Sequence, residues 1–349
     1  MERDDALRRN EAAIMNNFIY RAATERAAWR DMTHWGRFRV RGADAAALLH
    51  HLTTNDIKGL KIGQGRDAAL VSSRARLLDL VTIFRDGDGF LVITAPNRRA
   101  MFRPHAEKFI VYRQDIQIED VSEQTALWGV WGPQAALLLQ SLGAQDVLET
   151  PLNTVHKGDN GVDFQCARTS RLPASGALLW GRPELAREIM ARVQTNDVGS
   201  EPETTDAAPL CDSETFNVLR VEAGLPVAGL ELIEEINPWE ARLDDTISLH
   251  KGCYNGQEIV ARLNTYQKVK QHLCGLKLSC AAASGRVSLR AATSEGASRE
   301  AGFITSSVVS PRFGDIALAY VRADFTQPGQ TLSAGDEGAP ATVVELPFH

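Results

Sequence analysis

Polar and apolar positions along this chain follow two periods. Residues 3 to 30 set Ala6, Leu7, Ala12, Ile14, Met15, Phe18, Ile19, Ala22 and Ala27 among charged positions, and this broad helical spacing predicts one or two leading helices. A strand-like Phe38-Arg39-Val40-Arg41 follows, and then Asp44, placed to cap a helix over Ala45 to Leu52. Between Ala68 and Thr94 the pattern shortens to strand type, with Asp86-Gly87-Asp88-Gly89 as a hairpin turn. A helix is predicted from Asn97 to Val111 and strands from Asp115 to Val121 and Leu127 to Trp131, with a further helix after Gly132-Pro133. Residues 195–209 are small, acidic and proline-bearing, which predicts an exposed loop. From Leu273 onward short strands separated by Gly and Pro predict a small β-barrel. Strands and helices mix without a regular βαβ period, so the predicted class is α+β.

At 349 residues the chain is long enough for two or three domains. The hydrophobic and charged fractions, 44% and 23%, are those of a globular chain and exclude a disordered tail protein. With 38 Lys+Arg against 44 Asp+Glu the net charge of -6 does not draw polyanions from a distance, so nucleic-acid binding would need a local patch. The stretch from Arg66 to Arg113 has a local excess of Lys and Arg, either a face for an anionic ligand or a solvated surface. Met1-Glu2-Arg3-Asp4-Asp5 lacks the apolar run of a signal peptide, and no stretch has the length of a membrane span, so a cytoplasmic location is expected.

Several smaller motifs have bland readings. Gly63-Gln64-Gly65-Arg66-Asp67-Ala68 matches G-x-G-x-x-A but leads into a strand, which argues against a dinucleotide site. His50 and His51 point about 100° apart on their helix and cannot readily share a metal. Five cysteines, at 166, 211, 253, 274 and 280, show no C-x-x-C spacing, so neither a disulfide scaffold nor a metal site is predicted. Four of them read as small core residues.

Cys253 stands apart because of its neighbours. In Lys251-Gly252-Cys253-Tyr254-Asn255-Gly256-Gln257-Glu258-Ile259-Val260-Ala261-Arg262 two glycines frame a turn, and a helix opens at Gly256. Ile259, Val260 and Leu263 are predicted on its buried side and Glu258 paired with Arg262. A helix N-terminus and the Lys251 ammonium would both favour a thiolate at Cys253, although a packed cysteine in a tight turn has the same spacing.

Lys251 to Glu258 resembles the K-G-C-Y-x-G-Q-E signature of the YgfZ folate-binding proteins, whose mitochondrial relatives assist iron-sulfur cluster assembly. The wider chain resembles the GcvT superfamily, which includes the aminomethyltransferase (T-protein) of glycine cleavage. The matching segments are Gly42-Ala43-Asp44-Ala45, Thr54-Asn55-Asp56, Arg220-Val221-Glu222-Ala223-Gly224-Leu225-Pro226, and Gly302-Phe303-Ile304-Thr305-Ser306 with Ser310-Pro311. The resemblance implies a three-domain cloverleaf about a central opening that binds tetrahydrofolate, with a C-terminal β-barrel. Its expected divisions are a helical extension at 1–35, a folate-binding region at 36–270 and the barrel at 271–349.

The resemblance also implies roles. Glu222 matches the glutamate of R-x-E-A-G, and one carboxylate can accept both hydrogen bonds of a pterin's adjacent N-H and NH2 groups. Asp79 falls where aminomethyltransferases place an Asp-Asp pair near the reactive folate nitrogens, with Leu78 in place of the first acid. Cys253, Lys251 and Asp79 are the candidate catalytic residues. Trp239, Tyr254, Gly256, Gln257, Glu258 and Arg262 are candidates, with Glu222 and Asp79, for holding folate. No metal ligand is implied, since one motif cysteine cannot supply the four thiolates of a cluster. Where aminomethyltransferases resemble D-F-I-G this chain reads Cys253-Tyr254-Asn255-Gly256. An accessory role toward iron-sulfur client or assembly proteins is therefore expected, with tetrahydrofolate-dependent aminomethyl or methyl transfer, or demethylation, as the alternative. The family's link to tRNA modification is read as indirect, and direct nucleic-acid binding as disfavoured by the charge.

Overall fold

The structure, a computed structural model, describes residues 17–158, 161, 163–193, 208–266, 268–280, 285–292 and 298–349. Residues 1–16 of the leading helical pattern and 195–207 of the expected loop lie outside the described residues. The chain divides into two compact units, residues 1–35 with 121–219 and residues 36–120 with 220–349.

The first unit begins with helix α1 (17–25) and strand β1 (Ala28–Asp31). The second unit then opens with β2 (Gly36–Arg41), α2 (Ala45–Leu52), β3 (Gly65–Val71), β4 (Leu77–Asp86), β5 (Gly89–Thr94), α3 (Arg99–Glu107) and β6 (Gln117–Asp120). The strands form an antiparallel sheet in the order β3-β4-β5-β2-β6, and the predicted hairpin closes with Asp86 opposite Gly89. One face buries Phe38, Val40, Val81, Ile83 and Val92 against Leu48, Leu49 and Leu52 of α2 and Phe102 of α3. Asp44 does not cap α2 through its side chain. Its Oδ2 instead accepts the backbone N–H of Asp115, and Asp115 in turn accepts from the backbone of Ala43 and Asp44. The expected helix over Asn97 to Val111 is a turn of 3-10 helix at Pro96–Arg98 followed by the shorter α3.

The chain returns to the first unit with β7 (Ala126–Trp131), α4 (Ala135–Ser141), β8 (Val155–Lys157), β9 (Phe164–Thr169), β10 (Gly176–Gly181) and α5 (Glu184–Met190). Here the sheet order is β1-β7-β10-β9-β8, over a core of Trp29, Trp128, Leu138, Leu139, Phe164, Leu179, Leu185 and Ile189.

Helix α6 (Ser213–Glu222) carries the R-x-E segment, and α7 (Gln257–Tyr266) follows the Cys253 turn. The remaining strands are β11 (Gln271–Leu278), β12 (Val287–Ala292), β13 (Ser298–Ser310), β14 (Gly314–Arg322), β15 (Thr331–Ala334) and β16 (Ala339–Val344). They close a barrel in the order β11-β14-β13-β12-β15-β16, as the sequence pattern predicts, and closure removes the open edges of so small a sheet. The mixed α+β class with a C-terminal barrel therefore stands. A second apolar cluster joins Ala69, Val71, Leu77 and Leu80 of β3 and β4 to Val221, Leu232 and Ile236, and to Leu318 and Tyr320 of the barrel.

Candidate functional site

The Lys251 to Gly256 turn is seated on the end of α2. A helix this short leaves its last carbonyls without intrahelical donors and carries partial negative charge at that end. Lys251 supplies what is missing: its ammonium donates to the carbonyls of His50, Thr53 and Asn55 at 2.5, 2.6 and 2.7 Å. The Tyr254 ring lies 4.8 Å from the same nitrogen. Burial pulls Lys251 down to about 7, with Asp56 opposing and Lys58 reinforcing the change, and burial likewise pushes the Tyr254 hydroxyl up to about 12. Because its three N–H donors are directed at carbonyls, Lys251 holds the turn in place rather than pointing at the Cys253 thiol.

Asn255 fixes the other side of the turn, taking the His51 carbonyl with its backbone N–H and the Val71 carbonyl with its Nδ2 at 3.0 Å. Gly256 has φ +77°, and a β-carbon there would lie 2.6 Å from the Ser72 carbonyl oxygen. Only glycine combines that backbone conformation with that approach. Gln257 opens α7 and accepts the Tyr254 backbone N–H on Oε1. Trp239, half-buried, donates Nε1 to the Val260 carbonyl and packs against Ala75, Tyr254 and Val260. Val260 alone is fully buried on α7, whereas Ile259 is 38% exposed. Glu258 and Arg262 are both exposed and form no ion pair among the described residues, so the expected pairing is not made.

The R-x-E-A-G segment and the strand segment ending in Ser310-Pro311 meet side by side. Arg220, buried, donates to the Glu231 carboxylate at 2.8 Å and to Ser306 Oγ at 2.6 Å, while Ser306 and Thr305 donate to the other Glu231 oxygen. Glu222 accepts the Ser310 hydroxyl at 2.5 Å, and the Ser310 oxygen accepts the backbone N–H groups of Arg312 and Phe313. Asp79 is fully buried on β4, with Oδ1 accepting from Leu80 N and Oδ2 from Ala95 N. Val71 links these parts to the Cys253 turn, since its side chain packs in one cluster with Leu77, Leu80 and Val221 while its carbonyl receives Asn255.

Residues 17–251 match the family model of the GCVT N-terminal domain, and residues 271–349 match the glycine cleavage T-protein C-terminal barrel domain. The chain belongs to the glycine cleavage T-protein family. Among curated relatives it is 32% identical over 345 residues to an aminomethyltransferase of Rubrobacter xylanophilus, covering 95% of this chain and 85% of the relative. It is 29% identical over 320 residues, 91% of this chain and 70% of the relative, to a chloroplastic protein of Arabidopsis thaliana named as an unproven transferase. The fold is shared with the aminomethyltransferase of Bartonella henselae, at a TM-score of 0.79 and 22% identity over 95% of this chain and 88% of that one.

Within this T-protein family member the five cysteines separate by burial. Cys166, Cys211 and Cys274 are buried, and desolvation pushes the first two up to about 12 and raises the third. Cys253 is exposed. So is Cys280, which corrects its reading as a core residue. No cluster of His, Cys, Asp and Glu able to hold a metal occurs among the described residues, and no helix there is long and apolar enough to cross a membrane. Sequence reasoning missed Glu231, the partner of Arg220, and His50, whose Nδ1 accepts the Lys58 backbone N–H and whose carbonyl receives Lys251. Thr54-Asn55-Asp56 was the available signal for the second, because that segment supplies part of the lysine's seat.

Proposed function

We propose that this chain binds tetrahydrofolate through the second unit and acts through Cys253 in the maintenance of iron-sulfur proteins. The observation carrying this reading is the immobilised turn that presents Cys253. Lys251, Asn255 and Gly256 fix the backbone on both sides of the thiol, while the thiol itself stays exposed. A purely structural cysteine gains nothing from exposure, whereas a thiol that meets a partner protein needs it.

Glu222 and Asp79 suit a folate ring in their chemistry. Glu222 is an acceptor oriented by Ser310, the type of group a pterin's N-H and NH2 pair requires. Asp79, anchored by two backbone amides, is a fixed acceptor rather than a mobile base. Trp239, Tyr254 and Gln257 then serve chiefly to shape the turn, and the exposed Glu258 and Arg262 lie outward on α7.

A second reading, one-carbon transfer to tetrahydrofolate, is favoured by the aminomethyltransferase relatives and by the buried carboxylate at Asp79. Calorimetry decides the shared part. Tetrahydrofolate should bind, and Glu222→Gln should weaken it by about 1–3 kcal/mol by turning an amide donor toward the ring's donors. Unchanged affinity removes Glu222 from the site. Asp79→Asn then separates the readings: loss of a measurable methyl or aminomethyl transfer identifies a transferase. If the native chain transfers nothing, and Cys253→Ser fails to restore iron-sulfur enzyme activity in cells lacking the gene, the accessory role stands.

A further inference from the structure

Helix α7 carries a second apolar stripe that the core does not use. Val260 faces inward, while Ile259, Leu263 and Tyr266, spaced i, i+4 and i+7, share a neighbouring face about 100° round the helix. Ile259 is 38% and Tyr266 62% exposed. With Arg262, Lys268 and Lys270 they line a groove of about 350 Å³. None of the three cations is ion-paired among the described residues, and the Lys268 ammonium lies 5.8 Å from the Tyr266 ring.

We propose that this groove is a docking surface for an acidic, aliphatic segment of a partner protein. An apolar floor rimmed by three cations in a chain of net charge -6 is a local reversal of sign, and it complements a segment that brings carboxylates around aliphatic side chains. The single aromatic residue of the lining, Tyr266, argues against a nucleic-acid strand, which needs a series of stacking platforms. Ile259 lies six residues after Cys253, whose turn leads into the same helix.

The probe is a fluorescein-labelled peptide with leucines at i, i+4 and i+7 and glutamates between, titrated against the full chain by anisotropy. Saturable binding is expected, weakened about tenfold or more by Lys268→Glu with Lys270→Glu, and separately by Ile259→Ser with Tyr266→Ser. These side chains are exposed, so circular dichroism melts should match the native chain. A peptide with lysines for glutamates, and one with serines for leucines, should each bind about tenfold more weakly. The proposal is overturned if no saturable binding is seen, if the substitutions leave it unchanged, or if the lysine peptide binds equally well. Tighter binding of a labelled single-stranded RNA, lost in the same variants, would assign the groove to nucleic acid instead.

Discussion

Gly256 and Ser72 lie so close that a β-carbon on the glycine would sit 2.6 Å from the serine carbonyl oxygen. This one approach ties the Cys253 turn to the loop between β3 and β4, and the φ of +77° allows the turn to pass directly into α7. Gly256→Ala is therefore expected to cost about 2–4 kcal/mol, combining left-handed strain with overpacking against backbone that cannot yield. Urea unfolding measures it, and a loss under about 0.5 kcal/mol would show that the loop moves aside.

Lys251→Met removes the donor from three carbonyls at once and is expected to destabilise the chain by at least about 3 kcal/mol. The native lysine also titrates differently in the two states, at about 7 when folded against 10.5 when unfolded. Between those values the unfolded chain binds a proton that the folded chain does not, so the lysine's contribution to stability rises as pH rises from 7 to 10.5. Urea midpoints of the native and Lys251→Met chains, compared across that range, should diverge with increasing pH. Parallel curves would mean that the ammonium stays charged in its seat.

Arg220 and Glu231 form a buried ion pair completed by two hydroxyl donors. Glu231→Gln removes the negative charge that faces the buried Arg220 guanidinium, and a loss of about 3–5 kcal/mol is expected. Replacing both residues together, by Met at 220 and Leu at 231, should recover part of it. A double replacement as damaging as the sum of its parts would argue that the pair is needed for the fold.

Thiol labelling at neutral pH should divide the cysteines in two. Cys253 and Cys280 are exposed and should react quickly, whereas Cys166, Cys211 and Cys274 should react only as the chain opens. Lys251→Met should change the rate at Cys253 while leaving Cys280 unaltered, since only the first depends on the seated turn. Equal effects at both would indicate general loosening.

Much of this protein was legible in its sequence because local rules suffice there. The Asp86 to Gly89 hairpin, α2, α7 and the succession of barrel strands follow from turn chemistry and from hydrophobic periods of 2 and 3.6, which need only near neighbours. Motif spacing likewise marked Cys253 and Glu222 as candidates. What only the tertiary structure decided are pairings across long separations and the choice between two faces of one helix. Lys251 meets carbonyls of residues 50, 53 and 55, Ser310 meets Glu222, and Asp44 serves Asp115 rather than its own helix. On α7, Val260 and Ile259 are equally apolar in sequence, yet only Val260 finds Tyr254 and Ala75 to pack against. Periodicity states that a face is apolar, but burial depends on whether another surface arrives to cover it, and that surface is built from residues distant in the chain.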